Sequence, residues 1–297
     1  MLRQTSADMG FSKSIPFGSL DQVRPGNVVL VGVPWDENSS FLRGAALAPS
    51  RIREALRSGE MNLCAEDGTD LGVEPRWLDF GDLDLGSGGV ALQQIEAAIA
   101  GLLERGARVQ SLGGDHAITY PIVRAYGARH SCLTVLHLDA HPDLYDEFGG
   151  SRLSHACPFA RILEEGLVAR LVQVGVRTMN PHQRAQAERF GAEVIEMRQW
   201  QPGLEPELDG PLYVSIDLDV LDPAFAPGVS HHEPGGLSVR EVLRLVQGLR
   251  APVVGADIVE LNPHRDLQGC TAMVAAKLLK EITAVMLRPV IPSSPGR

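Results

Sequence analysis

Short apolar runs alternate along the chain with longer segments in which apolar residues recur every three or four positions. The short runs are typical of buried strands, and the longer spacing is typical of helices with one buried face. Strands that alternate with helices usually form a mostly parallel sheet covered on both faces. The pattern therefore predicts an α/β protein, with strands over residues 27–33, 108–112, 132–138, 170–176, 211–217 and 252–259.

Two of the intervening segments have strong helix signals. Residues 92–106 place several leucines and isoleucines on one face and end in Gly106, a residue suited to a C-terminal cap. Ser238 and Glu241 have the spacing of a capping box at the start of a second helix. Both segments are long enough to cover the predicted sheet.

The chain is predicted to form one domain over residues 1–297, because it has no internal repeat, low-complexity linker or block of like charges. Residues 268–287 are predicted to form the last helix. Residues 288–297 are rich in proline and serine and are predicted to be a flexible tail.

The composition is that of a soluble globular protein, with 44% hydrophobic and 22% charged residues among 297. A net charge of −10 disfavours nucleic acid or an anionic membrane as partner, since both attract an excess of lysine and arginine. No apolar run is long enough to span a bilayer, and the first residues lack the apolar core of a signal peptide. Together with four scattered cysteines, these features predict a cytoplasmic protein.

Polar residues of one chemical kind follow three of the predicted strands. In parallel sheets, ligands bind beyond the carboxyl ends of the strands. Residues two apart in an extended chain point the same way, so the side chains after each strand can converge on one point. The candidates are Asp115 and His116 after the second strand, Asp139, His141 and Asp143 after the third, and Asp217 and Asp219 after the fifth.

Carboxylates and imidazoles without a thiolate suit a divalent ion such as Mn²⁺, Mg²⁺, Co²⁺ or Ni²⁺. Any one of the three motifs alone could be a turn with a helix cap, a solvated loop or the end of a strand. Their coincidence in one chain favours a metal site. The candidate ligands are too numerous for one small ion and fit two ions with shared carboxylates; they are His116, Asp139, His141, Asp143, Asp217 and Asp219.

These motifs resemble those of the ureohydrolase family, which includes arginases and agmatinases. The family pattern is carried by GGDH (113–116), DAHPD (139–143) and SIDLDVLDP (215–223), and the likeness extends to residues 31–56 and 255–263. The resemblance implies a three-layer αβα fold, two Mn²⁺ per subunit and hydrolysis of a guanidino group to urea and an amine by a metal-bridging hydroxide. It also suggests a homo-oligomer, either a trimer or a hexamer.

The resemblance also implies roles for single residues. One ion would be held by His116, Asp139, Asp143 and Asp217, and the other by Asp139, His141, Asp217 and Asp219. Asp139 and Asp217 would therefore bridge. The implied catalytic residues are His155, which returns a proton to the leaving amine, Glu260, which binds the guanidinium, and Asp143. Asp257 could orient a ligand histidine or be a structural acid.

The loops around these motifs favour agmatine, a small cationic substrate, which would yield putrescine and urea. Tyr145 and Asn180 stand where arginases place residues that bind the α-carboxylate and α-amino group of arginine. Guanidinobutyrate, guanidinopropionate and arginine remain alternatives, because GVSHHEPGG departs from the family pattern at His231 and His232. A mononuclear metal deacetylase and a non-catalytic metal-binding protein are further alternatives on the same fold.

Overall fold

A single parallel sheet forms the centre of the computed structural model, which describes residues 20–201 and 203–289. All of its neighbouring strands are parallel, and their order is β2-β1-β3-β8-β7-β4-β5-β6. The strands are β1 (Val28–Gly32), β2 (Trp77–Asp82), β3 (Arg108–Leu112), β4 (Thr134–Leu138), β5 (Arg170–Val176), β6 (Glu193–Glu196), β7 (Leu212–Asp217) and β8 (Val253–Val259).

Helices cover both faces of the sheet and complete three layers. They are α1 (Ala48–Arg57), α2 (Gly88–Glu104), α3 (Thr119–Gly127), α4 (Pro158–Glu164), α5 (Pro181–Phe190), α6 (Val239–Gly248) and α7 (Cys270–Leu287). Val28 and Leu30 of β1 pack in one core with α1, α6 and α7. Val29 and Val31 of the same strand pack in a second core with α2, α3 and α4. This alternation follows the two-residue period of a strand and confirms the αβα architecture.

The predicted strands are all present, and each begins or ends within two residues of its prediction. Two further strands, β2 and β6, were not predicted and lie at the two edges of the sheet. The capping box of Ser238 and Glu241 starts α6, and Gly106 follows α2 with φ +76°. Most of the predicted tail, residues 290–297, lies outside the described residues. Among the described helices, none has the length and apolar character of a membrane span.

The strand order brings the functional motifs together. β3, β8, β7 and β4 are neighbours in the middle of the sheet, and because they are parallel their carboxyl ends meet at one edge. The last residues of these four strands and the segments that follow them contain every metal ligand proposed from the sequence, and also Glu260.

Gly114, which follows β3, has no room for a side chain. A Cβ added there would lie 1.7 Å from the carbonyl oxygen of Trp35. We predict that Gly114→Ala lowers the free energy of unfolding by about 1–3 kcal/mol, because the backbone must move. The matched control is Gly101→Ala in α2, where the nearest atom outside the helix is 3.9 Å away, and it should stabilise by about 0.5–1 kcal/mol. Urea denaturation measures both, and equal effects would contradict the packing argument.

Candidate metal centre

The proposed ligands occupy the turns that follow three central strands. His116 lies in a short 3₁₀ helix after β3, and His141 lies in the loop after β4. The four acids, Asp139, Asp143, Asp217 and Asp219, are all buried, and we call them the acid cluster. The structure thus brings together the ligand types that the spacing predicted.

The acid cluster and the two histidines form two adjoining groups. His116 Nδ1 lies 3.1 Å from Asp139 Oδ2, 3.1 Å from Asp143 Oδ2 and 3.3 Å from Asp217 Oδ2. His141 Nδ1 lies 3.0 Å from Asp219 Oδ2 and 3.4 Å from Asp139 Oδ1. The two oxygens of Asp139 therefore face different groups, which is the arrangement of a bridging carboxylate.

Asp217 belongs to the first group, and its bridging role stays a prediction. Its Oδ2 faces His116, whereas its Oδ1 accepts a hydrogen bond from the Asp219 N–H at 2.9 Å. Burial, followed by the charges of Asp219 and Asp139, raises the pKa of Asp217 well above its usual range. Burial likewise raises the pKa of Asp219 to about 6, although His141 beside it acts in the opposite direction. Asp217 and Asp219 therefore hold negative charge only at a high cost.

The orientation of His116 tests whether a cation fits this space. Ser215 Oγ lies 2.9 Å from His116 Nε2 and donates its own proton to Asp257, so Nε2 must carry the proton of a neutral imidazole. The Nδ1 lone pair then points at three carboxylate oxygens, and Nδ1 has no hydrogen-bond partner. This arrangement is repulsive unless a positive charge lies between the groups, so the residues fit a metal ion.

The pKa of His116 leads to the same conclusion. Burial would lower this pKa, but Asp139, Asp143 and Asp217 outweigh the effect and raise it well above the usual value for histidine. The space between the imidazole and the carboxylates must therefore be filled by a proton or by a metal ion.

Asp257 supports His116 through one intermediate residue. It is fully buried and accepts hydrogen bonds from Ser215 Oγ at 2.6 Å, Tyr213 OH at 2.7 Å and Thr119 Oγ1 at 2.9 Å. Ser215 in turn contacts His116, so Asp257 fixes the tautomer of this histidine. The sequence suggested such a role for Asp257, but it did not identify the serine between them.

His137 is a member of the site that the sequence analysis missed. It lies in β4 two residues before Asp139, and its Nε2 is 2.8 Å from Asp139 Oδ2. Its Nδ1 accepts a hydrogen bond from Gln173 Nε2 at 2.8 Å, so the Nε2 proton points at Asp139. His137 therefore orients this carboxylate. Its two-residue spacing from Asp139 is a signal for this role, but the apolar residues around it in β4 hide it among strand residues.

Two of the three predicted catalytic side chains, His155 and Glu260, contact each other beside the acid cluster. His155 Nδ1 lies 2.7 Å from Glu260 Oε1, and the same oxygen accepts the His116 N–H at 2.9 Å. Burial would lower the pKa of His155, but the Glu260 carboxylate outweighs it and raises this pKa to about 9. Glu260 and Asp143 have positive φ angles of 66° and 50°, and such backbone strain is common at functional sites.

His155 and Glu260 line one cavity of about 160 Å³ together with four of the proposed metal ligands, His141, Asp143, Asp217 and Asp219. His231 also lines it, and its ring centroid is 5.4 Å from that of His155 and 5.8 Å from that of His141. His232 has a different role, because its Nε2 donates to the Pro227 carbonyl and its Nδ1 accepts from Arg265. Of the two adjacent histidines, His231 therefore lines the cavity and His232 holds the loop in place.

The chain is similar over most of its length to known proteins. The sequence model that describes the arginase family matches residues 26–284, which is most of the chain. The chain belongs to the arginase family. It is 50% identical over 273 residues to arginase 1, mitochondrial, of Arabidopsis thaliana, a match that covers 86% of this chain and 80% of that one.

Solved structures of other family members share the fold. An arginase from Medicago truncatula superposes with a TM-score of 0.84 at 43% identity, covering 89% of this chain and 88% of that one. A hypothetical agmatinase from Burkholderia thailandensis gives 0.79 at 30% identity, covering 88% and 86%. This arginase-family hydrolase thus has its His and Asp residues positioned for metal binding.

One loop of the arginase-family protein differs from the expectation for arginine. Asn180 Nδ2 donates to Tyr145 OH at 2.6 Å, and Asn180 Oδ1 accepts the Gln183 N–H at the start of α5. The two residues that replace the arginine-binding positions therefore bind each other. Tyr145 lines the cavity, whereas Asn180 contacts Tyr145 and is not among the cavity-lining residues.

The position of Asp139 between the two groups leads to a prediction about metal content. We expect wild-type protein to bind two Mn²⁺ per chain, Asp139→Asn to bind fewer than one and Asp219→Asn to keep about one. Plasma mass spectrometry after equilibrium dialysis measures the content. Asp146→Asn is the control, because the half-exposed Asp146 lies in the same loop but pairs with Arg152 and Arg161 instead of the proposed ligands. Two ions retained by Asp139→Asn would contradict the assignment.

Proposed function

We propose that this protein hydrolyses the guanidino group of L-arginine to urea and ornithine with two bound Mn²⁺. The observation that carries the proposal is the contact between Glu260 and His155 beside the acid cluster, in one cavity. The 50% identity to an Arabidopsis arginase favours arginine over agmatine, the substrate first expected from the loops. Assembly into trimers or hexamers and a cytoplasmic location remain predictions.

The residues proposed to hold the ions are His116, Asp139, Asp143 and Asp217 for one, and Asp139, His141, Asp217 and Asp219 for the other. When bound, such ions lower the pKa of a shared water and supply a hydroxide nucleophile near neutral pH. Oxygen and imidazole ligands suit Mn²⁺. His137 and Ser215 keep the ligands in place through hydrogen bonds at 2.8 and 2.9 Å.

Glu260 is placed to bind the planar guanidinium group. Its Oε1 is already bound by His155 and the His116 N–H, whereas no hydrogen bond from the described part of the chain reaches its Oε2. A carboxylate oxygen facing the cavity matches the N–H groups of a guanidinium ion. Glu260 would thus hold the substrate carbon beside the acid cluster and exclude solvent from that side.

His155 is placed to return a proton to the leaving amine. It lines the cavity next to Glu260, and its ring is fixed from both sides by Glu260 and Ser40. The neutral ring keeps a proton on Nδ1, which donates to Glu260, so Nε2 is the atom that can accept and release the transferred proton.

Agmatine is a second candidate substrate, and the contact between Asn180 and Tyr145 favours it. Agmatine lacks the α-carboxylate of arginine, and neither Asn180 nor Tyr145 brings a charge to the cavity. The reaction at the guanidinium carbon would be the same for both compounds. The two candidates therefore differ only in how the far end of the substrate is bound.

Urea release by the Mn²⁺-loaded protein tests the proposal, with arginine, agmatine, guanidinobutyrate and guanidinopropionate compared side by side. We expect the highest kcat/KM with arginine, and loss of all activity in Asp139→Asn. A higher kcat/KM with agmatine would support the proposed reaction but contradict arginine as the substrate. Absence of urea from all four compounds, with two ions bound, would overturn the hydrolase proposal.

The role of Glu260 leads to a separate prediction. Glu260→Gln keeps the size of the side chain and removes its charge, so we expect kcat/KM to fall about 100-fold, as for the loss of a charged hydrogen bond. The content of Mn²⁺ should stay at two per chain. Glu147→Gln, at an exposed acid, is the matched control and should be unchanged. A Glu260→Gln variant with wild-type kcat/KM would show that Glu260 does not bind the substrate.

A further inference from the structure

His155 is held by a loop that is distant from it in the sequence. Residues 36–44 connect β1 to the helices before the second strand, and Ser40 in this loop contacts the imidazole twice. The Ser40 N–H lies 3.2 Å from His155 Nε2, and Ser40 Oγ lies 2.8 Å from the same atom. Ser40 also lines the cavity.

The loop that presents Ser40 is anchored on both sides. At the end of the loop, the N–H groups of Gly44 and Ala46 donate hydrogen bonds to the Asp36 carboxylate, which joins the end of the loop to its beginning. Asp115 Oδ2 accepts the Asn38 N–H at 2.9 Å, and the Asn38 carbonyl accepts the His155 N–H at 3.1 Å. Asp115, the acid of GGDH, therefore holds this loop. The position of Ser40 is thus fixed relative to His155 by contacts on either side.

The two contacts have different chemical requirements. A backbone N–H can only donate, so it favours the form of His155 in which Nε2 has a lone pair and Nδ1 donates to Glu260. A hydroxyl group can either donate or accept, so Ser40 Oγ can serve Nε2 both before and after it takes up a proton. Without the hydroxyl, a protonated Nε2 would face only the Ser40 N–H, which repels it.

We infer that Ser40 is a positioning residue for His155, and that its hydroxyl makes Nε2 the atom that carries the proton to the leaving amine. In the transfer, the Nε2–H bond breaks, the proton bonds to the nitrogen of the departing amine, and Ser40 Oγ changes from acceptor to donor. The inference rests on the proposed hydrolysis, because it assigns a partner to the proposed proton donor.

Other charged groups also act on His155 and must stay unchanged in a test. They are Glu260 after β8, Asp115 after β3 and Asp143 after β4, while His231 faces the ring from the loop before α6. Because Ser40 carries no charge, its replacement leaves all of these groups in place. A changed pH dependence in a Ser40 variant would therefore report on the lost hydroxyl.

The first test compares three substitutions in the Mn²⁺-loaded enzyme. Ser40→Ala should lower kcat about tenfold at neutral pH with KM changed less than about twofold, and the fall of kcat at high pH should begin about one pH unit lower. Ser40→Thr keeps the hydroxyl and should restore kcat. Ser50→Ala is the control, since the exposed Ser50 hydroxyl in α1 donates to the Leu47 carbonyl, away from the cavity, and its kcat and pH profile should match those of wild type. Equal kcat and pH profiles in wild type and Ser40→Ala would overturn the inference.

The second test is independent of turnover. In Mg²⁺-loaded protein with ¹⁵N-labelled histidine, His155 is identified by the signal that His155→Asn removes. We expect its proton to lie on Nδ1 in the neutral form, and its pKa to fall by about one unit in Ser40→Ala. An unchanged pKa, or a neutral form with the proton on Nε2, would overturn the inference. If no compound releases urea but this shift is seen, the proposed function fails and the positioning contact stands.

Discussion

Mutual repulsion among four buried carboxylates is the constraint on which the rest of this structure depends. Asp139, Asp143, Asp217 and Asp219 leave the ends of the central strands and meet in a buried space, where an unpaired charge costs several kcal/mol. The backbone is strained in the same place, at Asp143 and Glu260. A sequence selected only for stability would fill this space with apolar side chains. The acid cluster therefore indicates a site that holds cations.

The support around the acid cluster is as extensive as the cluster itself. His137 orients Asp139 from within β4, and Ser215 with Asp257 sets the tautomer of His116. Each of these groups is buried and lies on a strand of the sheet. Rigid strands therefore fix the proposed ligands, whereas loops supply His155, Ser40 and His231. With this division, changes in the loops can alter which substrate is bound, while the strands keep the metal ligands, and therefore the reaction, the same.

The sequence predicted the centre of the fold better than its edges. The six predicted strands include all the fully buried ones, because strands covered on both faces are continuously apolar. The edge strands were missed for a physical reason: β2 contains Asp79 and Asp82, which pair with Arg53, and β6 is only half-buried with a glutamate at each end. Polar edge strands discourage pairing with other chains, and they also hide the strand pattern.

In the site, the predictions succeeded where local spacing was enough. The two-residue spacing of Asp139, His141 and Asp143 predicted that their side chains meet at one point, whereas in the structure Asp143 faces His116 and His141 faces Asp219, on either side of Asp139. The strand order brings the remaining proposed ligands beside them. Contacts that join distant segments could not be predicted, such as Ser40 with His155, 115 residues apart. The substrate is also beyond local patterns, because the residues Tyr145 and Asn180 favour agmatine, whereas the similarity of the whole chain to arginases led us to propose arginine.

The central claim is that two metal ions share the acid cluster, with Asp139 between them. Anomalous diffraction at the manganese absorption edge, from crystals of the Mn²⁺-loaded protein, tests it most directly. We expect two peaks about 3.5–4 Å apart, one beside His116 and one beside His141, both within bonding distance of Asp139. A single peak, or peaks that do not contact Asp139, would contradict it.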